Sequence, residues 1–213
     1  MTARFDPGCR RCPRLAAHRD EVAERYPDYH AAPVAPFGVE RPRLLIVGLA
    51  PGLHGANATG RPFTGDYAGI LLYQTLHRFG FANQAEAVSR DDGLELTGCR
   101  VTNAVKCLPP ANKPAGSEVR TCNGFLAREL GELPANAVVL ALGRVAHDAV
   151  LRACGLRQRD HPFGHGACHA LERRWLVDSY HCSRYNTQTR RLTEPMFEAV
   201  FQQVSDLLDR TRG

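Results

Sequence analysis

An α/β fold, with a parallel sheet covered by helices on both faces, is the class this sequence predicts. Two observations carry that prediction. Short apolar runs alternate along the chain with longer segments of helical pattern. The polar stretches "GLAPG", "TNAVKC", "LGRVAH" and "SYHCSRYN" each follow one of the short runs, so all four fall at strand C-termini. In open α/β sheets that edge is where ligands bind. A length of 213 residues suffices for one sizeable core. With no repeat, low-complexity tract or linker, residues 1–213 read as a single domain, and residues 1–40 as an N-terminal segment packed on it.

The elements follow in order. A cysteine pair opens the chain and a short helical pattern covers 15–25. The proline-punctuated "YPDYHAAPVAPFGVERP" then delays regular structure. The run Leu44-Leu45-Ile46-Val47 marks a buried strand over 43–48, and similar runs place strands over 99–103, 137–142 and 175–179. Helices are expected over 67–79, where Asp66 stands as an N-cap, and over 117–130, 144–154 and 194–209.

Composition sets bounds. No run reaches the roughly 18 apolar residues of a membrane span, and the charged first 25 residues do not read as a signal peptide. The expected compartment is cytoplasmic. Net charge is +5, with pI about 8.9, and only Lys106 and Lys113 are lysines. Arginine suits phosphate through its planar, bidentate fork, although a biased composition explains the same count.

Eight cysteines are many for a cytosolic chain, where metal binding or burial is favoured over disulfides. Cys9 and Cys12 form a C-x2-C pair; Cys107 and Cys122 flank "CLPPANKPAGSEVRTC". Four thiolates from a tight turn and a loop-plus-helix can hold either zinc or an iron–sulfur cluster, which ligand identity does not separate; the alternative is that Cys107 and Cys122 are simply small buried residues. Such a site would pin the N-terminal segment to the domain body. Cys99 and Cys154 sit in apolar patterns and read as core. In "HPFGHGACH", His161, His165, Cys168 and His169 match no standard zinc spacing, and the stretch reads as a hydrogen-bonded surface loop.

These pieces occur in one order: C-x2-C, "GLAPG…GRPFTGDYAG", "TNAVKCLPP" with a further cysteine downstream, and "SYHCSRYN". Together, over residues 9–192, they resemble the iron–sulfur uracil-DNA glycosylases, most closely family 5 (the UDGb type) and next family 4. The resemblance implies a three-layer αβα fold with a central four-stranded parallel sheet. It implies a [4Fe–4S] cluster on Cys9, Cys12, Cys107 and Cys122. It also implies a monomeric DNA-repair enzyme that flips uracil out of DNA and hydrolyses its N-glycosidic bond, leaving an abasic site. Other deaminated bases such as hypoxanthine fall within the family's range.

The resemblance also assigns residues. Gly48, Leu49, Ala50 and His54 belong to the glycine-rich substrate loop, and Phe63 to the face on which the base stacks, its competing role being a core phenylalanine. Asn103 corresponds to the base reader; its amide offers both donor and acceptor, though a turn or cap is the ordinary use of such a residue. His181 corresponds to the histidine that stabilises charge on the uracil O2. Ser183, Arg184, Tyr185, Arg190 and Arg191 fall in the DNA-contacting loop, with Tyr185 at a position usually held by a leucine wedge and Cys182 at one usually held by proline. Leu49 stands where related families carry a catalytic acid. The nearest carboxylate is Asp66, expected either to act on the attacking water or to serve only as a helix cap. The rival function is a non-catalytic, metal-stapled nucleic-acid-binding module.

Overall fold

The computed structural model describes residues 4–210. One six-stranded sheet runs through it in the order β1-β3-β2-β4-β6-β5, with β1 Phe37–Gly38, β2 Leu44–Gly48, β3 Cys99–Asn103, β4 Ala137–Leu142, β5 Cys168–Leu171 and β6 Arg174–Ser179. The inner four strands, β3-β2-β4-β6, are parallel, as expected. The outer two, β1 and β5, pair antiparallel to them. These edge strands lie outside the expected four. Each is short, and neither has the continuous apolar run that reveals a strand buried on both faces.

Alternation along the strands sorts the core into two layers. Leu44 and Ile46 of β2 and Val138 and Leu140 of β4 face helices α3 (Tyr67–Arg78) and α7 (Glu194–Arg210). Leu45, Val47, Val139 and Ala141 face α4 (Gly116–Gly131) and α5 (Arg144–Ala153). Helix α1 (Pro13–Arg25) packs through Leu15 against Val105, Cys122 and Phe125. Two short helices, α2 (Ala56–Thr59) and α6 (Arg184–Gln188), occupy stretches that read as loops.

The chain leaves β2 in one direction to reach β3 and in the other to reach β4. The C-terminal end of β2 is therefore the topological switch point, where crevices form. The long loop from Leu49 to Asp66 crosses it, held by a buried staple. Arg61, 3% exposed, reaches Asp92 with both terminal nitrogens at 2.8 and 2.7 Å and donates from Nε to Thr64 Oγ1 at 2.8 Å. Asp92 also accepts the backbone N–H groups of Val88, Ser89 and Leu94. The Arg61 guanidinium and these amides hold its carboxyl well below the usual carboxylate range.

Removing one partner of a buried ion pair strands the other. Arg61→Ala is expected to lower stability by about 3 kcal/mol, read by urea denaturation. A loss under about 1 kcal/mol would show that the loop is held by something else.

Candidate active site

At the switch point the last residues of two strands meet. Gly48 ends β2 in register with Asn103, which ends β3. A Cβ on Gly48 would stand 2.5 Å from Asn103 Oδ1 and 2.5 Å from Phe63 Cζ. Glycine is thus required there by close approach, and both side chains rest against its bare backbone.

Asn103 is 3% exposed, and its Oδ1 is buried without a hydrogen-bond partner. A buried acceptor left open is uncommon, and the residue that carries it lines the pocket. Phe63 is 5% exposed with φ +54°, a left-handed backbone that a bulky side chain adopts only when its surroundings enforce it. The enforcement is visible on both sides. Tyr73 Oη donates to Pro62 O at 2.7 Å, and the tight seat of Gly69 beneath the Phe63 carbonyl excludes any Cβ. The Phe63 ring stacks against that of His181, with centroids 5.9 Å apart and planes at 27°.

Asp66 does cap α3: its Oδ1 accepts the Gly69 N–H at 2.8 Å. The other oxygen, Oδ2, turns toward the loop, where Cβ atoms added to Gly52 and Gly55 would meet it at 3.7 and 2.5 Å. Capping therefore engages one oxygen and leaves the second directed at the glycine loop. Burial pushes the Asp66 carboxyl up from its ordinary value, against the pull of the helix N–H groups. His181 is half-buried, and desolvation pulls its imidazole down to about 4. It is neutral at neutral pH.

These residues surround one pocket of about 410 Å³. Of the residues expected from sequence, Leu49, Ala50, Phe63, Asp66, Asn103, His181, Ser183 and Arg184 line it, with Gly48 beneath. His54 stands outside the lining, exposed and held by Tyr29 Oη at 2.8 Å. Tyr185, Arg190 and Arg191 also lie outside it, on the exposed surface. Tyr185 is 71% exposed on α6, whose N-terminus is capped by Ser183 Oγ. Arg184 lies over the Tyr67 ring and Arg191 over that of Tyr180. Cys182 is fully buried in the core beneath them.

Asn112 was not foreseen. It lines the pocket from the loop between Cys107 and Cys122, where Ala111 and Asn112 take φ +52° and +54°. Asparagine's tolerance of that conformation, next to two prolines, was the available signal.

The four cysteines singled out in the sequence meet between α1 and α4, around Leu15, Val105 and Phe125. All are free of disulfides. Cys122 Sγ accepts the Lys106 N–H at 3.2 Å, and the Arg14–Glu118 pair, at 2.8 and 2.7 Å, ties α1 to α4 beside them. Four sulfurs with an N–H donor and an apolar wall form a donor set suited to a metal cluster. Among the described residues, no three of these sulfurs lie within 4.8 Å of one another. Thiolates on one tetrahedral zinc stand about 3.8 Å apart.

A family model described as the uracil DNA glycosylase superfamily matches residues 35–205. A type-5 uracil-DNA glycosylase of Thermus thermophilus is 49% identical over 205 residues, covering 93% of each chain. One from Mycobacterium tuberculosis is 41% identical, covering 93% of this chain and 78% of its own. A type-4 uracil-DNA glycosylase of Pyrobaculum aerophilum is 37% identical over 115 residues, covering 54% of this chain and 50% of its own.

The depressed His181 has a direct consequence. Its NMR titration midpoint is expected well below that of a free histidine, so the ring stays neutral from pH 6 to 8. A midpoint near 6.5 would place the ring in solvent, away from the Phe63 face.

Proposed function

The chain belongs to the uracil DNA glycosylase superfamily, and within it to the type-5 family; from that premise we propose that it removes uracil from DNA by hydrolysing the N-glycosidic bond. The observation that carries this reading is the pocket wall of Phe63 and Asn103 packed on Gly48, a stacking face beside an open amide acceptor.

A base within the duplex is out of reach, so it must leave the stack to be cleaved. Phe63 then gives the flipped base a rigid face. Asn103 Oδ1 accepts the ring N3–H, while its amide nitrogen donates to the neighbouring carbonyl. The neutral His181 imidazole donates to O2, where charge gathers as the base departs. Asp66 Oδ2 orients water toward C1′ and balances the cationic sugar. The water oxygen bonds to C1′ as the C1′–N1 bond breaks, its electron pair going to the uracil ring. The water's proton passes through Asp66 to solvent. Leu49 supplies pocket wall rather than acid.

Ser183, Arg184, Arg190 and Arg191 contact the backbone phosphates, which positions the enzyme without specifying sequence. Tyr185, exposed on α6, fills the emptied stack. Cys9, Cys12, Cys107 and Cys122 would hold a [4Fe–4S] cluster. These residues would place such a group between the N-terminal segment and the loop carrying Asn112, where it would supply a structural cross-link, and the hydrolysis asks no electron of it. Residues 1–213 act as one monomeric, cytoplasmic glycosylase domain, with residues 1–40 as the cluster-binding segment. No described helix is long and apolar enough to cross a membrane.

Duplex and single-stranded oligonucleotides carrying one uracil test this directly, read by alkaline scission at the abasic site. Asp66→Asn keeps a good N-cap and is expected to lower the single-turnover rate by about 10²-fold or more, with DNA affinity within about threefold. Binding without base release by the unsubstituted protein would leave the non-catalytic module standing. Near-normal cleavage by Asp66→Asn would reduce Asp66 to its cap.

The purified protein is expected to be brown, and Cys107→Ala to lose the visible absorbance. A colourless protein with stoichiometric zinc on the four thiols would remove the cluster assignment.

A further inference from the structure

A second donor cluster lies away from the thiols, under the strand that leads to His181. His147 on α5, His169 on β5 and Asp178 on β6 direct one nitrogen or oxygen each to a common point, all within 4.8 Å of one another. His147 and Asp178 are buried, and the His169 side chain is 14% exposed.

The hydrogen bonds make this cluster unusual. His147 Nε2 faces the carbonyl oxygen of His161 at 2.9 Å, so that nitrogen carries a proton and donates. The other nitrogen, Nδ1, lies 2.8 Å from Asp178 Oδ1. In a neutral ring that nitrogen is a lone pair facing a carboxylate. A second proton on His147 would repair this contact alone. It would do nothing for Asp178 Oδ2 and His169 Nε2, which stand 3.6 Å apart, both buried and both without a hydrogen-bond partner. A gap of 3.6 Å is too long for a proton to bridge well. It is close to the separation of two ligands on one tetrahedral ion with bonds of about 2.1 Å.

We propose that His147 Nδ1, His169 Nε2 and the Asp178 carboxylate bind a divalent transition-metal ion of the zinc class. One cation answers the facing lone pairs and both orphaned atoms together. The His147 Nε2–H to carbonyl bond is the outer-shell contact that fixes a ligating imidazole in the required tautomer. An N₂O set of two imidazoles and a carboxylate suits zinc better than the oxygen-preferring magnesium or calcium.

The ion ties α5 to the paired strands β5 and β6. His161 sits at the start of the histidine-rich loop, and His169 follows it on the edge strand β5. Asp178 holds the same loop through its backbone, accepting from Gly166 N at 2.8 Å and donating to Ala167 O at 2.9 Å. Three residues beyond Asp178 is His181. The site is structural: it clamps the loop and edge strand to the sheet just before the pocket residue. It also explains why loop spacing alone suggested no metal. Two of the three ligands, His147 and Asp178, come from outside the loop, while His165 turns to Tyr180, its Nδ1 accepting that N–H at 3.1 Å.

The test uses the full-length protein with its thiol site intact, expressed with added zinc sulfate. Elemental analysis is expected to find about one zinc per chain besides iron. Absorption at the zinc edge should show a first shell of nitrogen and oxygen near 2.0–2.1 Å. His169→Ala, changed at the least buried ligand, should lose that zinc while keeping its iron and visible absorbance. Added Zn(II) should raise the melting temperature of unsubstituted protein purified from zinc-free medium, its thiol site still carrying iron, by about 5 °C or more, and that of His169→Ala prepared in the same way by far less. Absence of zinc and of any melting shift in the native protein overturns the proposal. A zinc shell of sulfur near 2.3 Å, or zinc undiminished in His169→Ala, assigns the ion elsewhere and overturns it equally.

Discussion

One close approach organises the pocket. At the final register step of the β2–β3 pair, Gly48 leaves no space for a methyl group, because Asn103 Oδ1 and the Phe63 ring both lie where a Cβ would stand. Any side chain at that position would push the amide or the ring out of the pocket. Two side chains arriving from a strand end and from a distant loop are thereby brought to a common wall. Parallel pairing adds a second constraint, since the β2–β3 ladder continues beyond the strands. Ala104 N–H donates to Gly48 O and Val105 N–H to Leu49 O, at 2.9 and 3.0 Å. The base of the glycine loop is thus sheet-like and fixed, and only its outer part is free to take a shape of its own.

That outer part is held by buried polar bonds as well as by the packing of Phe63 into the core. Arg61 is engaged by Asp92 and Thr64, and its guanidinium also covers the Phe37 ring at 5.0 Å. Phe63, two residues on, takes a backbone conformation that costs of order 1–3 kcal/mol for a residue of its kind. The cost persists because the Arg61 anchor, the Tyr73–Pro62 bond and the seat of α3 over-determine the turn. Strain located at a residue whose ring lines the pocket fits preorganisation: the ring is in place before any ligand arrives, and no rotamer entropy remains to be lost there.

The sheet and the main helices were legible in the sequence because their signals are local and strong. "LLIVG" and "AVVLAL" read as buried parallel strands, and the structure places both at the centre. Edge strands β1 and β5 were not legible. Phe37–Gly38 is two residues long, and Cys168–Leu171 alternates exposure without an apolar run. At the site, Phe63, Asn103, Asp66 and His181 were singled out by their resemblance to a known family's motifs, and all four line one pocket. What could not be read was orientation. The rivalry between cap and pocket for Asp66 depends on where its two oxygens point. His54 carries the right chemistry in the right loop, yet Tyr29 draws it outward. Asn112 and the triad of His147, His169 and Asp178 are non-local, assembled by folding from segments whose spacing has no motif.

The thiol site and the pocket are joined by a strut too short to move independently. Asn103 ends β3, and Cys107 follows four residues later, a reach of at most about 14 Å even when fully extended. Every residue between them is buried, and most are pinned. Val105 is bonded to Leu49. Lys106 donates its N–H to Cys122 Sγ and its ammonium to Glu129 and Thr102, and its carbonyl accepts the Val34 N–H. A fully buried lysine is costly unless paired, and its carboxylate comes from the helix that also carries Cys122. Whatever holds the four sulfurs at fixed spacing therefore fixes both ends of the Cys107–Cys122 loop, and with it Asn112 on one side of the pocket. Through the strut it also fixes the β3 terminus that presents Asn103 on another. A hydrolysis that transfers no electrons has use for such a group as a rigid cross-link. The same logic places the histidine–aspartate cluster at the opposite flank, where β6 delivers His181: each side of the pocket is approached by a strand whose end is tied down close to the reacting base.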